Sequence, residues 1–168
     1  EEYREKLRLY REERLPLFTD EKMLTGWNGL MLMALSRAAF AFGDRRYLME
    51  ARELAEFMGE KLYEGGRLMA RLCDGELRYE AQLDDYAFYA LGLLELYRAD
   101  FKAGHIASAQ ALAGQLLEDF ADEKGGFFRT SRGAEKLFIR PKEVYDGALP
   151  SGNSAAAAGE FSAPAVFC

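Results

Sequence analysis

Three aspartates lie at or just before the starts of apolar, helix-length segments, where carboxylates could perform acid–base chemistry. Asp84 and Asp85 open the segment Gln82–Ala99, and Asp146 lies in Val144–Ser154, which is rich in Gly, Pro and Asp. Two carboxylates roughly 5–10 Å apart can cleave a glycosidic bond, one donating a proton and the other acting as base or nucleophile. Two alternatives stay open: the paired aspartates cap the helix or bind arginines, and the Asp146 segment is a tight turn.

Six further residues are candidate ligand-binding residues because of their types and positions: Trp27, Asn28, Tyr86, Arg140, Ser151 and Asn153. An indole at a pocket rim would stack on a sugar ring, whereas burial in the core is the alternative for Trp27. Asn28 and Asn153 stand at the starts of two apolar segments. An amide in that position either caps the helix or hydrogen-bonds to a polyol.

Two isolated basic residues complete the polar inventory. Arg140 precedes Pro141 and either binds an acidic group or forms an ion pair with Asp85 or Asp146. His105, the only histidine, is expected to cap a helix or lie at the surface. Since the histidine and the two cysteines show no metal-ligand spacing, and no glycine-rich phosphate loop is present, neither a metal nor a cofactor is predicted.

Two kinds of helix must position these residues. The segments Gly26–Phe42 and Gln82–Ala99 are apolar on nearly every side, and a third such helix begins near Ala155. A helix that is apolar all round is buried all round. By contrast, Tyr47–Tyr63 and Ile106–Phe120 repeat apolar residues at spacings of 3 and 4, which predicts amphipathic helices with one buried face.

Short β-hairpins are predicted between the helices. An Asp-Gly pair divides Arg67–Glu80 into two short apolar runs, which favours a hairpin. A second hairpin is predicted from Phe127–Thr130 and Lys136–Arg140. The charged segment Glu1–Leu15 is predicted to be a solvated helix that ends at Pro16.

The order of elements repeats. An apolar helix, an amphipathic helix and a hairpin occur twice, followed by a third apolar helix, and Asn28, Asp85 and Asn153 stand at equivalent helix starts, 57 and 68 residues apart. A unit of this kind favours stacked helical hairpins. We therefore predict an all-α fold, a two-layered α/α toroid with small β-hairpins, in which the polar helix starts converge at one rim.

Four motifs in order resemble those of a known family. These are Asp20–Met31, Leu83–Phe88, Gly125–Phe128 and Asp146–Ser154. They resemble motifs of the thioredoxin-domain-containing family that includes the spermatogenesis-associated protein 20 homologues. The resemblance implies a region downstream of a thioredoxin-like domain, within an (α/α)6 toroid similar to N-acylglucosamine 2-epimerases and other six-hairpin carbohydrate enzymes.

The resemblance also implies that the chain is partial. Residues 1–158 correspond to about two and a half hairpins of such a toroid. The segment 159–168 does not look like a continuing apolar helix and is interpreted as an atypical tail, so that Cys168 receives no functional role. The chain begins at Glu1 inside a helical pattern, which suggests a piece of something longer. A thioredoxin-like domain is then its expected partner in the intact chain.

Two functions from different classes follow. The first is binding or transformation of a sugar, by a glycosidase- or epimerase-type reaction, in the toroid funnel lined by the candidate residues. The second is a non-catalytic helical scaffold that presents a partner or substrate to the redox domain. A pocket sealed by Trp27 stacked on Tyr86 would favour the scaffold.

Composition limits the other partners. The 168 residues suffice for one domain that buries roughly 70% of its unfolded surface, and the net charge of −6 argues against a nucleic-acid surface. No signal peptide or bilayer-length apolar run is present, so no membrane partner and a cytoplasmic location are expected. Since an incomplete toroid exposes the apolar faces of its inner helices, the fragment is expected to self-associate and to be inactive.

Overall fold

The computed structural model describes residues 1–15, 18–134 and 138–159. Within these ranges the helices are α1 Glu2–Glu12, α2 Thr25–Phe42, α3 Arg45–Lys61, α4 Leu83–Asp100, α5 Ala103–Phe120 and α6 Gly152–Ala158. The strands are β1 Met23–Leu24, β2 Tyr63–Glu64, β3 Arg67–Cys73 and β4 Glu76–Glu80.

The helices form two layers of helical hairpins, as predicted. Helix α4 is central: it packs against α2 on one side and α6 on the other, and against α5 behind it. Helix α3 packs behind α2. The apolar helices α2, α4 and α6 therefore form one layer, the amphipathic helices α3 and α5 form the other, and the core lies between them.

Two glycines allow α2 and α4 to approach closely. A Cβ atom on Gly29 would lie 2.6 Å from the backbone nitrogen of Tyr89, and one on Gly92 would lie 2.8 Å from the carbonyl oxygen of Gly29. The contacts between the two helices also follow the same chain direction in both, because Gly26 bonds to Asp85 and the later residue Arg37 bonds to the later residue Glu95. The two helices therefore run parallel, with their N-termini at the same end.

The predicted hairpin Arg67–Glu80 is confirmed as β3 and β4. Asp74 and Gly75 both have positive φ, 51° and 76°, as a tight two-residue hairpin turn requires. Strand β3 also pairs antiparallel with β1 and β2. A small sheet of four strands thus lies beside the start of α2, where the buried hydroxyl of Thr25 donates to the carbonyl oxygen of Met69.

The second predicted hairpin is wrong in the described residues. Phe127 makes only an isolated antiparallel bridge with Ala121, and Lys136 lies outside the described residues. The reason is that the backbone N–H and C=O of Phe127 are hydrogen-bonded to the side chain of Asn153 and so cannot pair with a second strand. Its Oδ1 accepts from the Phe127 N–H at 2.8 Å, and its Nδ2 donates to the Phe127 carbonyl at 2.9 Å.

The helix ends agree with the sequence to within a few residues. Helix α1 ends at Glu12 rather than Leu15 and buries no residue, while its predicted terminator Pro16 lies outside the described residues. Gly43 ends α2 in the left-handed conformation with φ 63°, as its residue type predicts. The predicted tail falls almost entirely outside the described residues.

Candidate functional site

The starts of α2, α4 and α6, here called the rim, contain all three candidate catalytic aspartates or their direct partners. Asp85 lies in the first turn of α4 and bridges two helix starts. Its Oδ1 accepts from the backbone N–H of Gly26 in α2 at 2.8 Å, and its Oδ2 accepts from the N–H of Gln82 at 2.9 Å. Both oxygens are thus bonded to donors that a helix cannot satisfy internally.

Burial raises the pKa of Asp85 to about 6. Desolvation is the largest cause, and the neighbouring charge of Asp84 acts in the same direction, while the two backbone N–H groups lower the pKa. A carboxyl group with this pKa exchanges protons near neutral pH. Its oxygens, however, contact the backbone of Gln82 and Gly26.

Asp84 extends the same arrangement to the third apolar helix. Its carboxylate lies against Gly152 at the start of α6, since a Cβ at Gly152 would lie only 2.3 Å from Asp84 Oδ1. Burial raises the pKa of Asp84 above its ordinary value, and the Arg129 cation opposes this shift. Asp85 therefore joins α4 to α2, and Asp84 joins α4 to α6.

Asp146 lies close to Asp84 through the backbone. Its Oδ1 accepts from the N–H of Ser151 at 2.8 Å, and Ser151 directly precedes Gly152, which lies against Asp84. That backbone bond and a second bond from the Ser154 hydroxyl lower the pKa of the exposed Asp146 carboxyl. Asp84 and Asp146 therefore contact two consecutive residues, Gly152 and Ser151, at the start of α6. Asp85 instead bonds to Gly26 at the start of α2.

The small polar candidates are bonded within the chain. Ser151 caps α6, its Oγ accepting from the N–H of Ser154 at 3.1 Å. Asn153 holds Phe127, as described above, and also donates to the carbonyl oxygen of Glu143 at 2.9 Å. Asn28 donates to the carbonyl oxygen of Leu24 at 2.8 Å. The capping predicted as the structural alternative for the two asparagines is wrong, because Leu24 and Ser151 are the N-cap residues of α2 and α6.

Of the two aromatic candidates, Trp27 is exposed and Tyr86 is buried. Trp27 is 64% exposed, so the alternative that placed it in the core is wrong. Tyr86 is 4% exposed and packs against Phe120 with ring centroids 5.3 Å apart, so it does not line a surface funnel in the described chain. The Trp27–Tyr86 stack that would favour a scaffold is therefore not formed.

The basic candidates have structural partners. Arg140 donates to the carbonyl oxygens of Asp119 and Thr130 and lies over the ring of Phe128, 4.2 Å from its centroid. The predicted ion pair with Asp85 or Asp146 is wrong for this reason. His105 lies near the start of α5, where its Nε2 contacts Asp100 Oδ2 at 3.2 Å.

A groove of about 690 Å³ lies between α2, α4 and α6 and includes Pro150 and Ser154 beside the rim, whereas Asn153 lines a separate cavity of about 370 Å³. Most of the lining of the groove is apolar: Leu30, Met33, Phe88, Leu91, Leu94, Ala155 and Ala158. Asp84 lies one turn before Phe88 on the same face of α4, since residues four apart are neighbours on a helix. Asp84 is therefore adjacent along α4 to a lining residue, but none of the three aspartates itself lines the groove.

Sequence reasoning missed the charged residues at the other end of the groove. Glu95 Oε1 accepts from Arg37 Nη2 and from Arg98 Nη1, each at 3.1 Å. The Glu95 side chain is 12% exposed, whereas the arginines are 63% and 72% exposed. The available signal was that these residues interrupt helices that are otherwise apolar on nearly every side.

Within the described residues no group of three His, Cys, Asp or Glu side chains could hold a metal ion. The chemistry that the groove offers is that of an apolar surface with two guanidinium groups and Glu95 at one end.

The two-layered hairpins have the fold of the six-hairpin (α/α)6 toroid enzymes. A sugar epimerase from a ruminal bacterium superposes with a TM-score of 0.68 at 14% identity, over 87% of this chain and 39% of that one. A GH76 α-mannanase from Bacteroides thetaiotaomicron gives a TM-score of 0.61 at 15% identity, over 69% and 34%. The predicted fold class, a partial toroid, is confirmed.

The chain is similar to spermatogenesis-associated protein 20 of Mus musculus, with 33% identity over 166 residues, and the resemblance drawn from the four motifs is thereby confirmed. An uncharacterised protein of Caenorhabditis elegans is 33% identical over 155 residues. The alignments cover 91% and 87% of this chain, but only 21% of each relative. No family model matches the chain.

None of the helices in the described ranges combines the length and apolarity that crossing a membrane requires.

Proposed function

We propose that the groove between α2, α4 and α6 binds a sugar-like ligand and contributes part of a larger carbohydrate-processing site. The observation that carries the proposal is the groove itself, an apolar concavity with Arg37, Glu95 and Arg98 at one end. Sugar sites combine apolar surface for the ring with a few placed polar groups for the hydroxyls. The fold shared with a sugar epimerase and a mannanase supports this choice of ligand.

Among the aspartates, Asp84 is the proposed ligand contact and proton carrier. It precedes the lining residue Phe88 by one turn of α4, and burial raises its pKa, which suits a group that must hold and release a proton. Asp146 is the proposed second carboxylate, since it bonds to Ser151 while Asp84 lies against the next residue, Gly152. Asp85 then acts as a positioning residue, because both of its oxygens are bonded to backbone.

The scaffold alternative is favoured by one observation. The rim side chains of Asp85, Ser151 and Asn153 are all hydrogen-bonded to backbone, so the motifs have a structural role whether or not a ligand binds. A scaffold would use the groove for a peptide or not at all. Sugar titration therefore separates the two functions.

The test is a methyl NMR titration of this chain with glucose, mannose, N-acetylglucosamine and cellobiose. Sugar binding predicts shifts at Met33, Leu91 and Ala158 in the groove, and none at buried Met58. Leu91→Gln should abolish the shifts, while the matched control Leu117→Gln, on α5 outside this groove, should keep them. Shifts that are absent, or spread over the surface, would favour the scaffold.

A second arm tests the carboxylates. Asp84→Asn is expected to weaken binding by about tenfold, the equivalent of one lost hydrogen bond to a charged group. Asp85→Asn should leave the affinity unchanged, provided that circular dichroism shows the same helix content. Equal losses in both variants would remove the distinction between a ligand contact and a positioning residue.

A further inference from the structure

The arginine end of the groove carries a net positive charge in an acidic protein. Two guanidinium groups face one carboxylate, and Glu95 is the only acidic residue among the described residues that line the groove. The chain as a whole has a net charge of −6. A cationic end in the groove is therefore not a consequence of general composition.

Glu95 holds the arginines in place without using most of their donors. Both arginines bond to the same oxygen, Oε1, so one side chain that is 12% exposed orients two side chains that are more than 60% exposed. Each guanidinium has five N–H donors, and the bond to Glu95 uses one of them. The remaining donors are available to a ligand, and fixing the long side chains beforehand reduces the entropy lost on binding.

The arginines and the apolar residues lie along the same faces of α2 and α4. Arg37 follows Met33 by one turn, and Glu95 and Arg98 follow Leu91 by one and two turns. A ring seated on Met33 and Leu91 would therefore lie about one helical turn, about 5.4 Å, from Arg37 and about two turns from Arg98, whose long side chain is held toward the ring by Glu95. Guanidinium groups bind carboxylate and phosphate oxygens through paired hydrogen bonds.

We propose that the groove selects an anionic sugar, whose carboxylate or phosphate group binds Arg37 and Arg98. This inference rests on the proposed sugar-binding function and specifies its ligand class. The apolar lining contacts the ring, the arginines bind the anion, and Glu95 positions both guanidinium groups.

The experiment compares glucuronate, glucose 6-phosphate and glucose in the same methyl NMR titration of this chain. Both anionic sugars should bind about tenfold more tightly than glucose, which corresponds to one charge-assisted contact. Arg37→Gln with Arg98→Gln should remove this preference, so that the variant binds glucuronate, glucose 6-phosphate and glucose with equal affinity. The control Arg46→Gln with Arg78→Gln removes two exposed, ion-paired arginines outside the groove and should preserve the preference.

A measurement on the unmodified chain covers the case of a variant that does not fold. Raising the ionic strength should weaken glucuronate binding and leave glucose binding unchanged, because salt screens exposed charges. The relative affinities of glucuronate and glucose 6-phosphate identify which anion the pair prefers.

Three outcomes overturn the inference. Equal affinity for glucuronate and glucose would do so while leaving the proposed sugar site intact. Inorganic phosphate that shifts the same signals as strongly as glucose 6-phosphate would make the pair a general anion contact. Binding by none of the sugars would reject the proposed function as well.

Discussion

The rim and the groove both contain carboxylates, but the two regions use them differently. At the rim, Asp85 is bonded through both oxygens to the starts of α4 and α2, and Asp146 is bonded to the start of α6. In the groove, Glu95 is bonded to two exposed arginines beside an apolar surface. The carboxylate with the most helix-start bonds, Asp85, thus stabilises the fold, while the charged side chains that line the groove lie toward the other ends of α2 and α4.

The largest expected effect comes from the helix contact on which both regions depend. Gly29→Ala would place a Cβ atom 2.6 Å from the backbone nitrogen of Tyr89, so that α2 must move away from α4. Overpacking of this kind costs about 3 kcal/mol of unfolding free energy. Urea denaturation measures the loss, and Gly114→Ala, in open space on α5, should be neutral or slightly stabilising. A small loss at Gly29 would mean that neither region needs the close approach.

Removing the Asp85 carboxylate should break the rim and spare the groove. Asp85→Ala leaves the N–H groups of Gly26 and Gln82 without their acceptor, which costs about 2–3 kcal/mol of unfolding free energy. Denaturant unfolding checks the value. The matched variant Asp74→Ala, in the exposed hairpin turn, should cost less. Equally small losses of unfolding free energy in both variants would show that the Asp85 bridge between α2 and α4 does not stabilise the fold.

The pH dependence of stability should separate Asp85 from the other carboxylates. Its folded pKa, about 6, lies above the ordinary value of 3.8, so protonation of Asp85 favours the folded state. That contribution is complete below the unfolded pKa and is lost as the pH rises through 6. Asp146 and Asp122 have lowered pKa values, so they contribute stability above the unfolded pKa and lose it as the pH falls through their folded values.

The stability of the unmodified chain relative to Asp85→Asn should therefore increase by about 1 kcal/mol between pH 7 and pH 5. Unfolding curves of both chains at the two pH values measure this difference, in which contributions from other groups cancel. A difference that does not change with pH would show that Asp85 is not desolvated at the rim.

The smallest effect on stability is expected on the exposed side of α2. Trp27 and Met31 are 64% and 54% exposed and one turn apart, so changing both to Ser should alter the unfolding free energy by less than about 1 kcal/mol. The same change should reduce the predicted self-association in sedimentation velocity, because it removes exposed apolar surface. The control Phe101→Ser removes an equally exposed ring at the end of α4. Unchanged sedimentation of the Trp27 and Met31 variant would locate the association elsewhere.

The elements and their layers were predictable from the sequence because they depend on local periodicity. Apolar residues on all sides predicted that α2 and α4 are inner helices, and spacings of 3 and 4 predicted α3 and α5. The Asp-Gly turn of β3 and β4 and the left-handed Gly43 follow from residue type alone. The failed hairpin at Phe127 shows the limit, since a side chain 26 residues away, Asn153, takes its backbone groups.

The partners of the polar residues were decided by the tertiary structure. The sequence determined that Asp84 and Asp85 start a helix, but not that Asp85 bonds to Gly26, 59 residues earlier, or that Asp84 lies against Gly152. The sequence also shows Arg37, Glu95 and Arg98 as charged residues within apolar helices, but it does not show that Glu95 bonds to both arginines. A hydrogen bond depends on the position of atoms that are distant in the chain, whereas helix formation and burial depend on near neighbours. The sequence thus determined the helices and their apolar faces, and only packing decided which charges are satisfied by the backbone and which face a groove.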